Sequence, residues 1–143
     1  MKADSRRLLL ASYPWVAEME TRFADMDVNR HLNNVAFSRF FEEARIRFNW
    51  NLFAAEDRAG RPRYLVAHVA IDYLGEGSYP APVTLGYAVG SIGRTSFRAQ
   101  KAMFQHDRCI ALCDTVLVHR GVDGPAPLPD ELRSRLEAFP LKG

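Results

Sequence analysis

One long helical signal, set in a chain that otherwise reads as strands, narrows the fold more than any other feature. From residue 34 to about residue 55, Phe37, Phe40, Phe41, Ala44, Phe48 and Leu52 recur three and four positions apart, which gathers them into one apolar stripe. Arg39, Glu42, Glu43, Arg45, Arg47 and Asn49 fill much of the remaining surface, and no proline interrupts the run. Asn33 or Asn34 suits the N-cap, because a short side-chain oxygen can accept an otherwise orphaned N–H of the first turn. The aromatic stripe is core. Glu42 and Glu43, adjacent on the helix, point about 100° apart and form a salt-bridged face with Arg39, Arg45 and Arg47 rather than a carboxylate pair.

Around this helix the pattern is β. Residues 15–23 alternate polar and apolar side chains, and residues 64–74, 83–90 or slightly beyond, 96–105 and 109–120 carry alternation or β-branched and aromatic residues. Gly-Arg-Thr (93–95) and His-Asp-Arg (106–108) are short enough to close hairpins, and Leu132 and Leu136 mark a short terminal helix over 129–139. One strand, one long helix and four strands in succession define an α+β chain: a five-stranded antiparallel sheet with one helix covering a face. No repeat, linker or Gly-rich dinucleotide loop breaks residues 1–143, which read as a single domain.

A net charge of +2, with arginines dispersed along the chain, excludes the concentrated basic face of a nucleic-acid binder. Leu8, Leu9 and Leu10 are too few for a signal core or a membrane span, so the expectation is a cytoplasmic protein with no membrane partner. Cys109 and Cys113, four apart on one strand, would stand about 13 Å apart, too far for a disulfide; they are expected to be free thiols. No spacing of His, Cys or acidic residues matches a metal site. His68, His106 and His119 fall in strands or turns and are expected to be bystanders.

Chemistry concentrates between the first strand and the helix, in Arg22-Phe23-Ala24-Asp25-Met26-Asp27-Val28-Asn29-Arg30-His31-Leu32-Asn33-Asn34. A helix start offers unpaired N–H groups and a partial positive charge, suited to a developing oxyanion. A carboxylate just upstream can attack a carbonyl held there or activate water against it. Asp25 fits a structural role bracing the loop. Local logic alone does not choose a substrate.

This segment, with Phe40-Phe41-Glu42-Glu43-Ala44-Arg45 behind it, resembles the 4-hydroxybenzoyl-CoA thioesterase-like branch of the hotdog superfamily. Its pattern is roughly R-[FY]-x-D-x-D-x-x-x-H-[VLM]-N-N followed by a helix with an E-x-A-R-like stretch. Residues 91–97, Ser-Ile-Gly-Arg-Thr-Ser-Phe, look like that family's strand-turn-strand near CoA, so the likeness spans about residues 16–120. The resemblance implies a hotdog fold, with the sheet wrapped around one long central helix, and hydrolysis of an acyl thioester of CoA or of acyl-carrier protein. It places Asp27 as nucleophile or general base and the Asn34 N–H as the group polarising the carbonyl. His31, with Asn29 and Asn33, would shape the site. Arg94, Thr95 and Ser96 would lie toward the CoA phosphates, helped by Arg98 or Lys101, and Glu42 or Glu43 stand in reserve as carboxylates. No metal or bound cofactor is required, CoA entering only as part of the substrate. A homodimer or homotetramer is implied, with the active site at the subunit interface.

The chain departs from the pattern at Arg30, where many members carry a small residue, often glycine. Two rivals remain. A hotdog enoyl-thioester hydratase or dehydratase uses a motif near D-x-N-P-x-H, but here His31 follows Asp27 by four residues and the proline is missing. A non-catalytic hotdog protein that binds an acyl thioester is the other.

Overall fold

The computed structural model describes residues 4–53 and 61–143. The helix α1 spans Asn34–Asn51, and Asn33 is its N-cap: its Oδ1 accepts the Ala36 N–H at 2.7 Å. The sequence pattern carried the helix to about residue 55; of that extension, residues 54 and 55 lie outside the described residues. The strands are β1 (Trp15–Met19), β2 (Arg63–Tyr73), β3 (Val83–Ile92), β4 (Ser96–Gln105) and β5 (Arg108–Gly121), followed by a two-residue β6 (Gly124–Pro125) and a terminal helix α2 (Asp130–Glu137). β1 stops four residues short of the expected end, because residues 23–25 wind into a 3-10 turn. The expected five strands gain β6 as a short addition to β5.

All pairings are antiparallel, in the order β1-β3-β4-β5-β2. The sheet curls around α1, the hotdog arrangement. His106 and Asp107 join β4 to β5 with φ of 53° and 60°, the left-handed pair that matches a two-residue hairpin to strand twist. The aromatic stripe forms the core as the spacing predicts: Phe37, Phe41, Ala44 and Phe48 are buried against Met19, Leu85, Met103 and Tyr87. The rings of Phe48 and Tyr87 stack with centroids 3.9 Å apart, and Trp15 meets both edge-on. α2 caps one end through Leu132 and Leu136.

Two features set up the site. First, α1 lies closest to β3, β1 and β4, so the β2 side of the concave face is left open. β2 is also an outer strand, and Leu65, Val66, Val69 and Tyr73 on it are exposed. Second, the sheet's outer face is covered by residues that carry no signal on their own. Short 3-10 turns at Ser5–Leu8 and Leu10–Ser12 bring the buried Arg7 to Asp114 at 2.7 Å and to the Lys101 carbonyl at 3.0 Å. Both cysteines are free.

Candidate active site

Residues 22–33 form a loop closed on itself and tied to the chain that follows β2. An antiparallel bridge pairs Met26 with Leu32, which makes Asp27 and His31 opposing residues at its tip. The Asp27 N–H donates to the His31 carbonyl at 2.9 Å, and the Arg30 N–H donates to the Asp27 carbonyl at 3.0 Å. On the outer side the Leu32 N–H donates to the Gly77 carbonyl at 2.9 Å. Glycine suits this contact, since a Cβ on Gly77 would lie 2.5 Å from Leu32 Cδ1 and force that buried side chain to shift.

Asp25 is the anchor. It is 1% exposed, and its carboxylate accepts the Arg22 N–H at 2.9 Å together with the guanidiniums of Arg22 and Arg39. Burial alone would raise its pKa, but these hydrogen bonds, the Arg22 N–H foremost, outweigh it and hold the carboxyl below the usual carboxylate range. The Asp25 carbonyl also accepts the Asn33 N–H at 2.9 Å, fixing the cap residue from which α1 starts. Arg39, expected among the acids of the helix surface, turns to this loop instead. The other helix pairs form as expected, Arg45 with Glu42 at 3.2 Å and Arg47 with Glu43 at 2.7 Å.

Asp27 is exposed in the single chain. Its Oδ1 accepts the Asn29 N–H at 2.9 Å and the His31 N–H at 3.4 Å, which aims the side chain; among the described residues its Oδ2 accepts nothing. Two residues beyond Leu32, the N–H groups of Asn34 and Val35 donate to no described residue, while those of Ala36 and Phe37 are already held by Asn33. One hairpin thus presents a carboxylate with a free oxygen and a helix start with free amides. The His31 ring turns the other way, its Nε2 lying 3.0 Å from Glu76 Oε2, a partner no local motif announces. Arg30 holds φ 65°, the left-handed conformation that a Cβ disfavours, which supplies a backbone reason for glycine at this position.

The residues expected at the CoA phosphates lie far along the sheet from the Asp27 loop. Arg94, Thr95 and Ser96 lie at the β3–β4 turn, whereas the Asp27 loop adjoins the far end of the same strands. β4 alone runs ten residues between those ends, about 30 Å. The turn is pinned by the Arg133 guanidinium on the Gly93 carbonyl at 2.7 Å and by Leu128 N–H on the Arg94 carbonyl at 2.9 Å. Within one chain the structure therefore pairs Asp27 with His31 and starts α1 at Asn34 three residues later, while Arg94, Thr95 and Ser96 lie at the other end of the strands. Arg98 is 3.9 Å from Asp114 on the outer face.

Lys101 points inward. It shares a cross-strand row with Cys113 and Ile71 beneath α1. The inward set of β4, residues 97, 99, 101 and 103, shows this as a period of two; in the sequence a lysine among them reads as an exception to the pattern. Lys101 lines a cavity of about 330 Å³ between α1 and the open β2 side, with Ser38, Glu42, Arg45, Val69 and Thr115. Among the described residues, no three His, Cys, Asp or Glu side chains gather into a group that could hold a metal.

A model of the thioesterase-like superfamily matches residues 21–136. No curated protein matches the sequence. Among solved structures, a Thermus thermophilus thioesterase complexed with coenzyme A and zinc is 30% identical, with 89% of this chain and 94% of that one covered and a TM-score of 0.80. A Pseudomonas aeruginosa protein is 26% identical over 93% and 96% of the two chains, TM-score 0.80. A thioesterase described as predicted, from Bacillus stearothermophilus, is 24% identical over 90% and 98%, TM-score 0.81, and shares the fold.

Proposed function

The chain belongs to the thioesterase-like superfamily, and from that premise we propose that it hydrolyses an acyl-CoA thioester with Asp27 as the central carboxylate. The carrying observation is the pair of free N–H groups at Asn34 and Val35, set on the same hairpin as the Asp27 carboxylate. The thioester oxygen accepts the Asn34 N–H, and the helix dipole favours the negative charge that grows there. In one route Asp27 attacks the carbonyl carbon, the C–S bond breaks, CoA leaves as thiolate, and water cleaves the resulting anhydride. In the other, Asp27 takes a proton from water as that water attacks, and the proton passes to the departing sulfur. Both give free acid and thiol, and both need the aim that the Asn29 and His31 N–H groups give the side chain. His31 acts here through its backbone; its ring, on Glu76, is a positioning group. CoA as carrier is supported by the coenzyme A named for the Thermus relative.

Arg94, Thr95 and Ser96 reach the substrate in this reading only from a second subunit. β2 is an outer strand with exposed apolar side chains, and such an edge favours pairing with another. Two β2 strands related by a two-fold axis perpendicular to the sheet run antiparallel. Each protomer's Asp27 end then lies beside its partner's β3–β4 turn, so a homodimer completes the site and a tetramer can be built from it. Among the described residues no helix is long and apolar enough to cross a membrane; a cytoplasmic location belongs to the same proposal.

A thiol-release panel of short, long and aromatic acyl-CoAs tests the reaction. Turnover of at least one class is expected. Binding without thiol release across the whole panel contradicts hydrolysis.

A further inference from the structure

Lys101 is 2% exposed on β4, the central strand of the sheet, yet its ammonium makes no hydrogen bond or ion pair among the described residues. Burial pushes its pKa below the usual lysine range. The ammonium opens only onto a cavity, with little water and, among the described residues, no carboxylate partner, which is costly, and such groups persist where a ligand supplies the missing charge. Its surroundings fit that role. Lys101 and Arg45 bring two positive charges to the cavity and Glu42, paired with Arg45, one negative, so the lining is net positive. Cys113 and Thr115 lie on the same inward face, while Asp114 faces outward to Arg7.

The cavity also lies in line with the proposed reaction centre. Asn34, Ser38 and Glu42 are spaced four apart on one face of α1, so Ser38 is one turn, about 6 Å, and Glu42 two turns, about 12 Å, along the axis from the free N–H of Asn34. A carbonyl held at Asn34 can send its acyl chain down this face between α1 and β2. A volume of about 330 Å³ is at the small end for ligand pockets, so the acyl group is compact.

We propose that the cavity takes an acyl group ending in a carboxylate, the half-thioester of a dicarboxylic acid, and that Lys101 selects it by pairing with that terminal carboxylate. The proposal rests on the thioesterase reading above and names its substrate class. A plain alkyl chain of the same length would leave the ammonium desolvated against methylene groups, whereas a terminal carboxylate forms a charge-assisted hydrogen bond with it.

The test compares adipoyl-CoA with hexanoyl-CoA, matched in carbon count, on the wild type and on Lys101→Met. The wild type is expected to favour adipoyl-CoA in kcat/KM by at least about tenfold, the value of one charged hydrogen bond. In Lys101→Met the adipoyl-to-hexanoyl ratio is expected to fall by a similar factor. A wild type that favours hexanoyl-CoA, or a ratio unchanged by the substitution, overturns the proposal. Thermal-shift protection by free adipate against free hexanoate provides a readout independent of turnover. Selective protection of the wild type by adipate supports the pairing even if neither ester is hydrolysed, a result that would instead defeat the thioesterase reading. Equal protection by the two acids, or none by adipate, overturns the Lys101 proposal, and this wild-type comparison holds even if the variant does not fold.

Discussion

Asp27 and His31 face each other across the tip of one hairpin, joined by the Asp27 N–H on the His31 carbonyl at 2.9 Å and the His31 N–H on Asp27 Oδ1 at 3.4 Å. The histidine aims the aspartate with its backbone, while its ring is spent on Glu76. Replacement of the ring should therefore cost much less than replacement of the acid. For His31→Gln, kcat is expected to fall less than about tenfold, well short of the loss typical of a general acid or base. A fall of a thousandfold would give the ring a chemical part.

Asp25 holds the hairpin from behind. Its carboxyl titrates below its ordinary value of 3.8, so the folded state favours the ionised form. The stability this contributes is present above about pH 4 and is lost as pH falls through the lowered value. Asp25→Ala is expected to destabilise the fold by about 1–3 kcal/mol, as for a lost set of charge-assisted hydrogen bonds, and to flatten that acid limb. Denaturant unfolding of both proteins between pH 3 and pH 7 measures it.

Arg30 sits at φ 65° with its side chain exposed. Arg30→Gly should leave stability unchanged or raise it by up to about 1 kcal/mol, and Arg30→Val should lower it by about 1–2 kcal/mol, because a branched Cβ tolerates this conformation worst. Equal unfolding midpoints for all three proteins would contradict the backbone reading.

Lys101 sets function against stability. Because burial lowers its pKa, the unfolded chain binds the proton more readily than the folded one; the penalty is full below the lowered folded-state value and eases as pH rises from there toward 10.5. Lys101→Met is expected to stabilise the ligand-free protein by roughly 1–3 kcal/mol at pH 7. A destabilised variant would mean that the ammonium is already satisfied.

Much of this was legible beforehand, for physical reasons. The Phe37-to-Phe48 stripe has only one helical solution, and the strands from 63 to 121 alternate strongly enough to be placed within two residues at each end. Asp27, His31 and Asn34 lie within one short segment, so local spacing brings them together. What depended on distant partners stayed hidden. Arg7 meets Asp114 across more than a hundred residues, His31 finds Glu76 after β2, and Lys101 acquires its meaning only once α1 is laid over the sheet. Arg94, Thr95 and Ser96 are legible as a turn, but the proposed relation to Asp27 runs through a second chain, which local spacing does not encode.

The measurement that reaches the centre of the account is thioester hydrolysis by the wild type and by Asp27→Asn, on whichever acyl-CoA the wild type turns over. Asparagine keeps the shape and can still accept the Asn29 and His31 N–H groups, but it can neither attack nor take a proton. Turnover is expected to fall at least about 100-fold with the fold intact by circular dichroism. Undiminished turnover would remove Asp27 from the reaction and the proposed site with it.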